Sequence, residues 1–327
     1  MRAIVVEHPG GPEVLRVSDV PDPQAGPDDV LISVAFAGVN RADLLQRMGF
    51  YPPPPGASDI LGLEVSGTVV AAPRSSGLAA GDRVMALIEG GGYAELAATR
   101  ATQVMKVPAS LDLMRAGGVP EVFITAHDNL FTRAQLQHGE TVLIHGGSGG
   151  VGAAAIQLAH HAGCRVAVTA SAPKLGRCME LGADVTVDYA RDDFVERVKK
   201  ETDGRGADVI LDVMGAAYLE RNIAALAPDG RLVIIATQGG ATAELNIAPM
   251  LRTRASIIVT TLRARPPEQK AAIVARMVEA VLPLLADGAL RPIIDRVLPL
   301  ADAGDAHRAL NAGEIFGKVL LQVAEVQ

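Results

Sequence analysis

The sequence predicts an α/β protein in which a β-rich domain, drawn from both ends of the chain, is interrupted by a doubly wound parallel-sheet domain. Three features carry that expectation. Residues 142–152 read Val-Leu-Ile-His-Gly-Gly-Ser-Gly-Gly-Val-Gly, an apolar run entering a glycine-rich turn that opens an Ala-rich helix. Behind it, apolar runs and helical patterns alternate at the spacing of βαβ units, which implies a parallel sheet covered on both faces. Ahead of it, short apolar runs broken by Gly and Pro succeed one another closely, as in an antiparallel barrel or sandwich.

In chain order, strands are expected at 3–6, 14–17, 30–36, 67–71, 82–88 and 93–97, with turns such as Pro9-Gly-Gly-Pro12 between them. Residues 40–47 are a short helical candidate. Residues 49–56, with four consecutive prolines, suit only a stiff loop. Small-residue helices are expected from 111 and over 122–130. After the glycine turn come strands at 166–169, 184–188, 209–213, 231–237 and 256–262. Helices at 174–181, 193–202 and 216–226 separate the first four of them. A long helix at 268–286, strands at 291–298 and 318–323, and a helix at 301–312 complete the chain.

Bulk composition excludes several classes. With 327 residues, 49% hydrophobic and 20% charged, the chain suits two folded domains. A net charge of −7, no Trp and 3% aromatic residues speak against a nucleic-acid partner. The opening residues lack a signal-peptide pattern, and no apolar run is long enough for a bilayer, so a cytoplasmic enzyme without a membrane partner is expected. Cys164 and Cys178 read as small buried residues. The histidines show no HExxH spacing and no CxxC exists, so no catalytic metal is expected.

Gly146, Gly149 and Gly152 follow a GxxGxxG spacing, a variant of the dinucleotide fingerprint. There, glycines allow the tight turn, the approach of backbone to pyrophosphate, and close helix–strand packing. Ser148 more plausibly bonds a phosphate oxygen than serves as a nucleophile, because the G-x-S-x-G elbow is missing. His145 suits either a cofactor contact or packing. An NAD site usually carries an acid about 20 residues past the glycines. Here the strand ends Thr169-Ala-Ser-Ala-Pro-Lys174. Ser171 and Lys174 are suited to a 2′-phosphate, and Ser171 equally to capping the following helix, so NADPH is the expected cofactor.

Further stretches carry a resemblance across nearly the whole chain. They are Asn40-Arg-Ala-Asp43 with Gln46-Arg47, Tyr51 to Ala57, Leu61-Gly-Leu-Glu64 and Gly81-Asp-Arg-Val84. Pro120-Glu121, Leu143-Ile-His145 with the glycine loop, and Gly317-Lys-Val319 complete the set. In combination the chain resembles the zinc-independent, zeta-crystallin-like quinone oxidoreductases of the medium-chain dehydrogenase/reductase superfamily, closest to the tumour-suppressor-induced branch. That resemblance implies a GroES-like catalytic domain (1–122 and 263–327), a Rossmann domain (123–262), NADPH in the cleft between them, and a homodimer through the strand at 256–262. Zinc-dependent relatives carry Cys near Asn40 and His at the position of Leu63.

By the same resemblance, Asn40, Asp43 and Tyr51 line the nicotinamide and acceptor side. Thr125 lies by the cofactor, and Gly149, Gly150, Val151 and Gly152 by the pyrophosphate. Ser171, Lys174 and Tyr189 surround the 2′-phosphate, while Thr237, Gly239, Thr261 and Leu262 flank the nicotinamide ribose. The expected reaction is hydride transfer from NADPH to a quinone, with reduction of activated C=C bonds or cofactor binding without turnover as the rivals. Tyr51 suits donation to a developing oxyanion or packing on the proline loop; Asn40 and Asp43 also suit capping of the helix they begin.

Overall fold

A computed structural model describes residues 1–324, and the chain divides into two units, Met1–Ile124 with Leu262–Gln327, and Thr125–Thr261. Strands β1 (Arg2–Val6), β2 (Leu15–Asp19), β3 (Asp29–Val39), β4 (Glu64–Ala71), β5 (Arg83–Leu87), β6 (Leu96–Arg100) and β7 (Val104–Lys106) come first. The second unit carries β8 (Thr141–His145), β9 (Arg165–Ala170), β10 (Val185–Asp188), β11 (Ala207–Asp212), β12 (Leu226–Ile234) and β13 (Ser256–Val259). Strands β14 (Ile294–Pro299) and β15 (Lys318–Gln322) follow.

In the first unit β3 is the hub. Its first half pairs antiparallel with β6, its second half with β15, and its other edge with β4. Alternation at its start gives way to burial on both faces from Val34 onward, as a strand with neighbours on every side requires. The seven-stranded sheet runs β14-β15-β3-β4-β5-β7 with β6 on β3, beside a separate β1-β2 pair. Every pairing is antiparallel except β14 with β15. A parallel pair needs a crossover, and helix Ala303–Asn311 supplies it, burying Ala303, Ala306 and Ala309 in the sheet's core.

The second unit is a six-stranded, wholly parallel sheet in the order β10-β9-β8-β11-β12-β13. Connections diverge between β8 and β11, so the topological switch point lies at their carboxyl ends, where open α/β sheets bind ligands. Leu143, Val187, Phe194, Val198, Ile210 and Leu232 are among its core.

Several expected elements differ in detail. The long helix at 268–286 is two, Pro267–Ala280 and Leu282–Ala286, because Pro283 lacks an N–H and its ring collides with the preceding turn. The strand expected at 256–262 ends at Val259. The run at 93–97 pairs as a strand only from Leu96, whereas Tyr93 is held by Ile4 N–H donating to its carbonyl at 2.8 Å. No element is expected over 247–253, where the structure has helix Ile247–Thr253 with Pro249 inside it. Pro249 stands in the first turn, where no donor is needed, behind Asn246, whose Oδ1 accepts from Ala248 N–H. Among the described residues no helix is long and apolar enough to cross a membrane.

Candidate functional site

The glycine turn is built by backbone proximity. Gly146, at φ +71°, turns the chain out of β8 in the left-handed region. Gly147 N–H donates to Thr169 O and Gly149 N–H to Gly146 O, each at 3.0 Å. Gly149 then caps helix Gly150–His161. A β-carbon at Gly152 would strike the Gly146 carbonyl oxygen and lie 2.7 Å from Gly147 Cα. Helix and turn therefore touch through backbone alone. The N–H groups of Gly150, Val151 and Gly152 fall in the helix's first turn, where no carbonyl of the helix reaches them. With the positive end of the helix dipole they form a cradle that fits a pyrophosphate. Ser148 is half-buried beside them.

Strands β9 and β10 are parallel neighbours, so their carboxyl ends bring Ser171, Lys174 and Tyr189 to one corner; Tyr189 N–H donates to Ala170 O at 3.3 Å. Ser171 starts the turn Ala172–Lys174 but makes no side-chain cap bond, so capping is not what its hydroxyl does. The Tyr189 ring is 53% exposed, unusual for a residue at a sheet end and suited to stacking. After β12, Gly239 N–H donates to Met214 O at 2.7 Å, locking the Thr237–Gly239 loop onto the loop after β11. Thr261 follows β13 and is exposed. The glycine turn, Ser171, Lys174, Tyr189, Thr237, Gly239 and Thr261 thus all follow carboxyl ends of one parallel sheet. Thr125 opens the same unit, its carbonyl accepting from Asn129 Nδ2. Leu262, Asn40, Asp43 and Tyr51 belong to the other unit.

His145 packs. Its ring lies between Thr169 Oγ1 (3.1 Å) and Asn222 Oδ1 (2.7 Å), edge-on to Phe194 and Tyr218. Burial pushes its pKa down to about 4. Cys164 and Cys178 are buried as expected, and burial pushes both thiols up to about 11.

In the first unit, Asn40 and Asp43 are bound into a buried polar network. Asp43 Oδ2 accepts from Asn40 N–H at 2.8 Å, which caps helix Arg41–Arg47, and from the Tyr93 hydroxyl at 3.1 Å; Oδ1 accepts from Gly62 N–H. Burial raises the Asp43 pKa to about 6 against these hydrogen bonds and the Lys318 charge. Tyr93 also meets His307 Nε2 at 3.2 Å. The Asn40 amide is engaged at both ends: Oδ1 accepts from Lys318 Nζ at 2.6 Å and Nδ2 donates to Glu64 Oε1 at 3.0 Å. Lys318 Nζ, 2.6 Å from Glu64 Oε1, donates also to Val39 O. Glu64 Oε2 accepts from Glu121 N–H at 2.9 Å. Tyr51 lies beneath the Arg263 guanidinium, whose carbon is 5.5 Å from the ring centre. Sequence reasoning gave no role to Glu64, Glu121 or Lys318, although each stands in a motif that carried the resemblance. Tyr93, Arg263 and His307 had no signal, being single residues brought in by tertiary packing. Among the described residues no three His, Cys, Asp or Glu side chains converge as a metal ion requires.

Known proteins agree with this architecture. Residues 26–109 match the alcohol dehydrogenase GroES-like domain family and residues 150–279 the zinc-binding dehydrogenase family. The quinone oxidoreductase of Lama guanicoe is 37% identical over 63% of this chain and 64% of its own. A phenolphthiocerol synthesis polyketide synthase of Mycobacterium marinum is 39% identical over 59% of the chain, which spans only 9% of that protein. A solved mycobacterial protein complexed with NADPH is 32% identical, with a TM-score of 0.88 over 99% of this chain and 100% of its own. With both domains and their order matched, the chain belongs to the zinc-independent medium-chain dehydrogenase/reductases of the quinone-oxidoreductase-like family.

Proposed function

We propose that this oxidoreductase is an NADPH:quinone reductase. The observation that carries the cofactor preference is the end of β9, where Ser171 and Lys174 stand in place of an acid and Tyr189 adds an exposed ring. A hydroxyl and an ammonium suit the two negative charges of a 2′-phosphate, which a carboxylate there would repel. Ser148 and the N–H groups of Gly150, Val151 and Gly152 would hold the pyrophosphate, and Thr125, Thr237, Gly239, Thr261 and Leu262 the nicotinamide end. NADPH, when bound, supplies a hydride.

On the acceptor side, the proposal assigns contact to Asn40 and Tyr51. Lys318 and Glu64, with Gly38 O accepting a longer bond of 3.4 Å from Nδ2, fix the Asn40 amide plane, so the side chain is held without further loss of entropy when an acceptor binds. The Tyr51 hydroxyl would donate to the oxygen that gains charge. Asp43 acts through others, holding Asn40 and the Gly62 backbone in place. A quinone is already electrophilic, so orientation in a dry site is most of what the protein must provide. We also propose a homodimer formed through β13.

The test is oxidation of NADPH and of NADH by purified protein with a panel of simple quinones and 2-alkenals. Quinone-dependent consumption with NADPH favoured at least about tenfold is expected. An NADH preference overturns the cofactor reading, and no turnover with any quinone overturns the acceptor reading.

A further inference from the structure

Behind Asp43 a file of buried side chains runs away from the acceptor-side residues, and its polarity is set from the far end. Arg47 is the last residue of helix Arg41–Arg47 and is 4% exposed. Its Nε donates to Gly10 O at 3.0 Å, and Gly10 N–H donates back to Arg47 O at 3.1 Å, so the guanidinium is anchored. Its Nη1 lies 3.3 Å from Nδ1 of His307, a fully buried residue of helix Ala303–Asn311. A guanidinium only donates, so Nδ1 must present its lone pair, and the proton of the neutral ring sits on Nε2. That N–H donates to the Tyr93 hydroxyl oxygen at 3.2 Å. The single proton of the phenol is then left for Asp43 Oδ2, 3.1 Å away. A charged ring would set a second N–H against the guanidinium. Burial first, then the Arg47 charge, push the His307 pKa down to about 3, so the ring stays neutral.

The direction of the file matters at its near end. Burial works against the charge of Asp43, which the Asn40 and Gly62 N–H groups, the Lys318 ammonium and the Tyr93 hydroxyl together support. With the ring proton on Nδ1 instead, the phenol would donate to Nε2 and turn a lone pair toward the carboxylate. Asp43 would lose a donor and gain a repulsion, and the Asn40 backbone would lose its hold. Resting on the NADPH:quinone reductase reading above, we infer that His307 is a positioning residue for the acceptor side. Held by Arg47 as the Nε2–H tautomer, it directs the Tyr93 proton onto Asp43. Asp43 so engaged keeps the start of helix Arg41–Arg47, with Asn40 at its head, in the geometry that receives the quinone. Asn40 is thus held twice, its amide by Lys318 and Glu64 and its backbone by Asp43. No bond is made or broken along the file.

The experiment measures quinone kinetics, NADPH affinity and the nitrogen-15 spectrum of the imidazoles in the purified protein. In wild type the His307 ring should show an unprotonated Nδ1 and a protonated Nε2, with no titration between about pH 5 and 8. The opposite tautomer, or a titration in that window, overturns the inference without any variant. His307→Gln can both accept from Arg47 and donate to Tyr93, so kcat/KM for a benzoquinone should stay within about threefold of wild type. His307→Leu can do neither and should lose about tenfold, with the Kd for NADPH unchanged within about twofold. Tyr93→Phe removes one oxygen from the same file, should lose as much, and serves where His307→Leu does not fold. In the Tyr93→Phe background, His307→Leu should lose nothing further, because the file is already cut. Additive losses in the double variant, an equal loss in His307→Gln, or full activity in either His307→Leu or Tyr93→Phe overturns the inference. A wild type with the assigned tautomer that reduces no quinone overturns the reading beneath it, and the positioning role falls with that reading.

Discussion

Asp43 has two readings in the sequence, lining a site or capping a helix, and the structure gives it a larger task than either. A carboxylate placed three residues after a helix start reaches back to the start of that helix, which is legible. That the same oxygens also receive Gly62 N–H and the Tyr93 hydroxyl is not, because both donors arrive from distant segments. Replacing Asp43 with Ala would leave three buried donors without an acceptor. At about 1–3 kcal/mol for each unsatisfied group, Asp43→Ala should cost about 3 kcal/mol or more in denaturant unfolding. A loss under about 1 kcal/mol would mean that water enters the site and that the network does not hold the fold. Tyr51 behaves differently. Its proline-rich loop is visible in the sequence, whereas the Arg263 guanidinium above its ring is not, since the two lie 212 positions apart.

At the scale of elements, patterns with a local cause are the ones the sequence discloses. The strand–turn–helix at 142–152 is legible because positive φ at Gly146 and the contact at Gly152 both demand glycine. Gly152→Ala tests that demand. Its β-carbon would push helix Gly150–His161 off the turn and misplace the three N–H groups at its start. NADPH binding by calorimetry should weaken about tenfold or more, some 1.4 kcal/mol; unchanged affinity would remove the turn from the phosphate site. Elements whose cause is not local are harder to read. Strand β7 has only three residues and exists because it pairs with β5. Helix Ile247–Thr253 looks broken at Pro249 until its position in the first turn is known.

Over the whole molecule, the interrupted order of domains was visible as a change from closely spaced strands to alternating strands and helices. Which strands neighbour one another was not, since pairing such as β15 with β3 depends on residues at opposite ends of the chain. The free edge β13 bears on assembly. It leaves one row of backbone groups open, Val259 is 73% exposed, and Leu251 (75%) and Ile247 (61%) stand exposed on the preceding helix. If the proposed dimer joins two such edges, Val259→Lys should shift the protein toward monomer in sedimentation equilibrium. A wild type already monomeric, or a variant dimer of unaltered strength, would refute that assembly.

The ammonium of Lys318 sets a timetable for folding as well as a geometry. It docks on Val39 O, 279 positions earlier in the chain, and β15 fills the place between β3 and β14. The parallel sheet draws on one unbroken stretch, residues 125–261, and its strands are complete on the ribosome before β15 is made. The first unit must hold β3 with one edge half open until that last strand emerges, and only then does Asn40 acquire its fixed orientation. Nucleotide-binding competence should therefore precede acceptor competence during synthesis, and a nascent chain halted before Lys318 should have the first without the second.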